Sequence, residues 1–147
     1  MTPKQEVEEL MNEGIAFVKK MLREHGGCHP FGVVRKSDGQ VQHVGASNGL
    51  DYPAAKDLIA ILRKSYRQEA EVSHYEATGL FYDVRIAPPG TEHKTDAVQV
   101  ELEHRSGYCA NVFFPYSRDA KGHLVFGEIF ATKRDGTVFL PTDDRAV

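Results

Sequence analysis

Along the first 25 residues, apolar positions recur at intervals of three and four. Val7, Leu10, Met11, Ile15, Val18, Met21 and Leu22 fall on one stripe of a 3.6-residue helix. The segment also carries its own punctuation. Thr2 suits the N-cap, Pro3 suits the first helical position, and Gln5 completes a capping box with Thr2. Glu6, Glu8 and Glu9 lie near the positive end of the helix dipole, and Lys19, Lys20 and Arg23 near the negative end. Gly26-Gly27 ends the helix.

The period then changes. Phe31-Gly32-Val33-Val34, the turn signal Ser37-Asp38-Gly39 and the alternating Val41-Gln42-His43-Val44 predict a hairpin. A polar, glycine-containing connection over residues 45–51 leads to a second helix from Tyr52-Pro53. Asp51 is its expected cap, and its apolar stripe is Ala55, Leu58, Ile59, Leu62 and Tyr66. Strands follow over residues 78–87, 96–105, 108–115 and 124–132, with Pro88-Pro89-Gly90 breaking the first of them. Asp135-Gly136 is expected to turn into a last short strand at 137–140, before a polar tail at 142–145.

This order, α-β-β-α-β-β-β-β, predicts an α+β fold in which two helices pack on one face of an antiparallel sheet of about six strands, leaving the other face charged. In element order alone it is similar to profilin-like and roadblock-like architectures, a resemblance that implies a fold and no activity. There is no internal repeat and no low-complexity linker, so residues 1–147 read as one domain.

Registers sharpen the charged face. Matching Val84 with Val100 sets Asp83 opposite Glu101 and Arg85 opposite Gln99. Arg105-Ser106-Gly107 fits a three-residue hairpin with Gly107 left-handed. That turn pairs Leu102 with Ala110, Glu103 with Cys109 and Glu101 with Asn111. The face then collects Asp83, Arg85, Gln99, Glu101, Glu103, Arg105 and Asn111, with Phe81 and Phe113 as exposed aromatic anchors. Neighbouring carboxylates need a compensating cation, and Arg85 and Arg105 are the expected ones. The face is expected to bind a protein partner or a second copy of the chain. Being exposed, it should tolerate alanine at both Glu101 and Arg85.

Composition narrows the alternatives. Of 147 residues, 41% are hydrophobic and 27% charged, which excludes a disordered chain. A net charge of -3 supplies no basic footprint for nucleic acid. No apolar run reaches the length of a membrane span, and no signal peptide is visible, so a cytoplasmic location is expected. Cys28 and Cys109 lack CxxC spacing and read as reduced thiols. His43, across the hairpin, is the candidate base for Cys28 in a thiol enzyme. His25 and His29 have HxxxH spacing, but Gly26-Gly27 breaks the helix between them. His104 faces away from Glu101 and Glu103 on a strand. No metal or cofactor set is assembled. The glycines at 45–51 lack the Lys-Ser/Thr of a phosphate loop. A carboxylate- or thiol-based hydrolase and a small-ligand sensor at residues 45–51 are the competing expectations.

Overall fold

The computed structural model describes residues 1–140, so the polar tail expected at 142–145 lies outside the described residues. Helix α1 spans Pro3–His25. The Thr2 hydroxyl accepts from the Gln5 backbone, and the Gln5 side chain accepts from the Thr2 backbone, completing the capping box. Gly26, left-handed at φ 75°, ends the helix, and its N–H donates to the Leu22 carbonyl. Next come β1 (Phe31–Lys36), β2 (Val41–Val44), α2 (Ala55–Glu71), β3 (Tyr75–Ile86), β4 (Thr95–His104), β5 (Cys109–Arg118), β6 (Leu124–Phe126) and β7 (Phe130–Thr132).

The seven strands form one antiparallel sheet in the order β2-β1-β3-β4-β5-β6, with β7 also pairing β5. The mixed α+β class and the element order are therefore as expected. Three local details differ. Helix α2 starts at Ala55, and Ala54, its N-cap, makes no side-chain cap bond, so Asp51 and Pro53 stand outside the helix. The strand expected at 124–132 divides into β6 and β7 where the Gly127 N–H turns to the Pro115 carbonyl. Residues 137–140 run without strand pairing.

The arrangement of layers is the main correction. The helices lie on opposite faces of the sheet, not on one. Helix α1 packs Val7, Leu10, Val18 and Leu22 against Val33, Phe81, Val98, Val100, Leu102, Val112 and Phe114. Helix α2 packs Leu62, Tyr66 and Ala70 against Val34, Leu80 and Tyr82. Successive strand residues point to opposite faces, so Val33 with Phe81 and Val34 with Leu80 mark the two sides. The α1 layer is close. A Cβ on Gly14 would lie 2.0 Å from Phe81 Cζ, so glycine is what lets the helix sit down on that ring.

The β3–β4 register follows from the same layering. Phe81 pairs Val100, Tyr82 pairs Gln99, Asp83 pairs Val98 and Arg85 pairs Asp96, three residues away from the expected match of Val84 with Val100. β3 is buried on both faces from Ala77 to Tyr82, where Leu80, Phe81 and Tyr82 are apolar in succession, so alternation there cannot say which set faces which layer. A slip of any odd number of residues, three here, exchanges every side chain between faces. The β4–β5 register is the expected one, with Leu102 on Ala110, Glu101 on Asn111 and Glu103 on Cys109, and Gly107 is left-handed at φ 100°.

Candidate functional site

Three odd-numbered residues of β4, Gln99, Glu101 and Glu103, project from the side of the sheet that carries α2. From β5, Asn111 joins them, and the Gln99 amide donates to Asn111 Oδ1 at 3.3 Å. These four share a face as expected. Arg105 lies at the end of the same side, donating to the Tyr75 carbonyl at 2.7 Å and the Ala70 carbonyl at 3.3 Å.

Asp83, Arg85 and Phe81 do not share that face, because the register slip moves all three to the α1 side. Phe81 is fully buried there, stacked on Phe31 at 4.8 Å. Asp83 accepts from the Cys28 N–H at 2.6 Å and the Tyr116 hydroxyl at 2.7 Å. Arg85 pairs with Asp96 at 3.0 Å in solvent. Phe113 is on the expected side but is buried and stacked on Phe130 at 4.8 Å, so it is no exposed anchor.

The carboxylates are buried, with side chains 4% exposed for Glu101 and 2% for Glu103. Their cations are not Arg85 and Arg105. Arg134, following β7, places its guanidinium between them, Nη2 at 2.9 Å from Glu101 and Nε at 2.9 Å from Glu103, while Nη1 donates to Asn111 at 3.2 Å. Arg63 of α2 grips Glu101 through both Nε and Nη2, and the Tyr82 hydroxyl donates to the same carboxylate. Burial and the bond to Glu101 hold the Tyr82 phenol well above its usual range. Glu103 Oε1 accepts from the Thr137 and Val138 N–H groups, each at 2.9 Å, and Oε2 also accepts from the Thr137 hydroxyl at 3.1 Å. Among the described residues no buried side-chain polar atom lacks a partner.

Sequence reasoning missed Arg63, Tyr82, Arg134 and Thr137. Two carboxylates at i and i+2 on a strand did signal that a cation must stand over them. Which cation does so depends on where α2 and residues 133–140 cross the sheet, and no local pattern encodes that.

The arrangement grips the chain's own polypeptide. Each carboxylate oxygen is filled by donors from the chain, leaving none as a free base. Both cysteines are free thiols. Burial, reinforced by the charge of Asp83, pushes the Cys28 thiol up to about 12. Burial, with the nearby Glu103 charge, likewise raises Cys109. His43, the base expected for Cys28, pairs instead with Glu13 at 3.3 Å. A rise from 9.0 to about 12 lowers the thiolate fraction near neutral pH about 1,000-fold. Cys28 should therefore resist iodoacetamide at pH 8 in the native protein and react at the normal thiol rate in urea. The folded state holds this proton more tightly than the unfolded state. The stabilisation is thus complete below pH 9.0 and is lost as pH rises toward about 12. Cys28→Ala should remove about 1.4 kcal/mol per pH unit from the slope of stability over that window.

A second cluster lies on the α1 side, where ligand atoms of Glu6, Glu76 and His104 fall within 4.8 Å of one another. His104 Nδ1 accepts from the Ser106 N–H at 2.9 Å, so Nε2 carries the ring proton and donates to Glu6 at 2.7 Å. A metal ion would have to displace that proton, and Arg35 already stands 3.8 Å from Glu6. The cluster ties α1 to β3 and β4. The loop at 45–51 satisfies its backbone locally, with Gly49 N–H on Ser47 and Leu50 N–H on Asn48. A shallow concavity along α1 is lined by Gln5, Glu8, Glu9, Asn12 and Glu13. No helix among the described residues is long and apolar enough to cross a membrane. Comparison with protein-family models, with curated proteins and with solved structures returned no match, so the geometry of the Glu101–Glu103 face is what a functional reading rests on.

Proposed function

We propose that this chain is a non-enzymatic interaction module that uses the polar side of its sheet to hold an extended, arginine-bearing segment of a partner or of a second copy. One observation carries the reading. Glu101, Glu103 and Asn111 already hold such a segment within the chain, gripping the Arg134 guanidinium on three sides and two successive backbone N–H groups beyond it. Planar, multidentate recognition of this kind favours arginine over lysine. The buried Cys28 thiol and the fully partnered carboxylates favour binding over hydrolysis.

A peptide with the sequence of residues 133–140 is the direct probe. Full-length Arg134→Ala, labelled for NMR, should show saturable shifts at the Glu101, Glu103 and Asn111 amides when titrated with it. Replacing the peptide's arginine by citrulline, which removes the charge and keeps the shape, should weaken binding about tenfold or more. Equal binding of the two peptides, or binding of neither, overturns the reading.

A further inference from the structure

Residues 133–140 cross the polar side of the sheet as a strap of irregular backbone. Among the described residues no backbone–backbone hydrogen bond ties them to another element. Their polar anchors end on side chains of the body. Glu103 accepts four of the bonds, from Arg134 Nε, Thr137 N–H, the Thr137 hydroxyl and Val138 N–H. Glu101 and Asn111 hold the rest of the Arg134 guanidinium, the Asn111 amide donates to the Lys133 carbonyl, and Arg67 reaches the Thr137 carbonyl. The apolar anchors are few. Val138 is buried, while Phe139 is half-buried with the Arg105 guanidinium 5.1 Å above its ring.

A segment with few buried apolar contacts and no ladder belongs to the low-stability end of a fold. The sheet beneath it does not. β3 pairs β4 at ten positions, β4 pairs β5 at eight, and α1 seals the far face. We propose that residues 133–140 lift off as one cooperative unit while the sheet stays folded, with the Arg134–Glu103 contact as the catch. The strap is then an autoinhibitory contact, since an incoming segment can reach Glu101 and Glu103 only when it is raised. Its regulatory meaning rests on the binding reading above, but its opening is measured with no partner present.

Hydrogen–deuterium exchange on the full-length wild type is the test. The Thr137 and Val138 amides should exchange about 100-fold or more ahead of the Val100 and Val112 amides. Glu103→Gln keeps the shape but turns an amide donor toward donors, and should speed Thr137 and Val138 about tenfold further while leaving β4 and β5 unchanged. Exchange of the strap together with β4 and β5 in the wild type overturns the proposal, whether or not the variant folds. Equal acceleration of strap and sheet in Glu103→Gln also overturns it. An opening strap with no peptide binding would sink the binding reading alone, and peptide binding with a strap that never opens separately would sink this one alone.

Discussion

Gly32→Ala should destabilise the protein by about 3 kcal/mol, the upper range of overpacking a sealed interior. The backbone at Gly32 suits any residue, so the cost comes from space. An added Cβ would lie 1.5 Å from the Tyr66 hydroxyl oxygen and 3.2 Å from the Gly79 carbonyl oxygen. Tyr66 is buried, and its hydroxyl donates to that same Gly79 carbonyl at 2.8 Å, so the ring cannot step aside without abandoning an acceptor. The contact sets how closely α2 lies on β1 and β3. Tyr66→Phe alone should cost about 1 kcal/mol for the lost hydrogen bond. Combined with Gly32→Ala, it removes the nearest atom, so the double variant should be less destabilised than the two single effects summed, by about 1 kcal/mol or more. Urea unfolding followed by circular dichroism checks this, and strict additivity would show that the clash is relieved elsewhere.

Glu101→Ala should cost about 3–5 kcal/mol, the range for removing one partner from a buried ion pair. It leaves the Tyr82 hydroxyl without its main acceptor, frees the α2 arginine Arg63, and leaves Arg134 with Glu103 as its one remaining carboxylate. Three parts of the fold meet on this carboxylate, namely α2, β3 and the strap. Arg85→Ala, by contrast, breaks an exposed pair with Asp96 and should shift stability by less than about 1 kcal/mol. The pair of changes therefore separates a structural carboxylate from a surface arginine. Equal, small effects from both would mean that the network contributes nothing to the fold. The chain has six Tyr and no Trp, so circular dichroism is the cleaner probe.

Local signals carried much of the fold. The α1 stripe, its capping box and its glycine stop act within a few residues of one another, so the sequence displays them openly. The same holds for the turns at Gly39 and Gly107, both left-handed. The β4–β5 register was legible because a three-residue turn fixes it. What failed was long-range. β3 and β4 are joined by residues 87–94, a connection long enough to permit either register, and the middle of β3, Leu80-Phe81-Tyr82, is apolar toward both faces. The assumed charged outer face misled for a related reason. Glu101 and Glu103 look solvent-directed on an alternating strand, and only the approach of Arg63 from 38 residues before Glu101 and of Arg134 from 31 residues after Glu103 makes their burial tolerable. Gln99, Glu101, Glu103 and Asn111 thus share one face as expected, but the two carboxylates lie buried on it rather than at the surface.

The packing of α1 has a consequence for biosynthesis. This helix is made before the sheet it packs on, since its apolar stripe rests on β3, β4 and β5, reaching Phe114 and Tyr116. Its seat is incomplete until some 91 residues after His25 have been made (116 − 25), roughly 5–18 s at ordinary elongation rates. Through that interval Val7, Leu10, Val18 and Leu22 have no sheet to cover them. The nascent chain therefore offers an amphipathic helix to whatever binds apolar segments near the ribosome, and release from that holder must await the second half of the sheet.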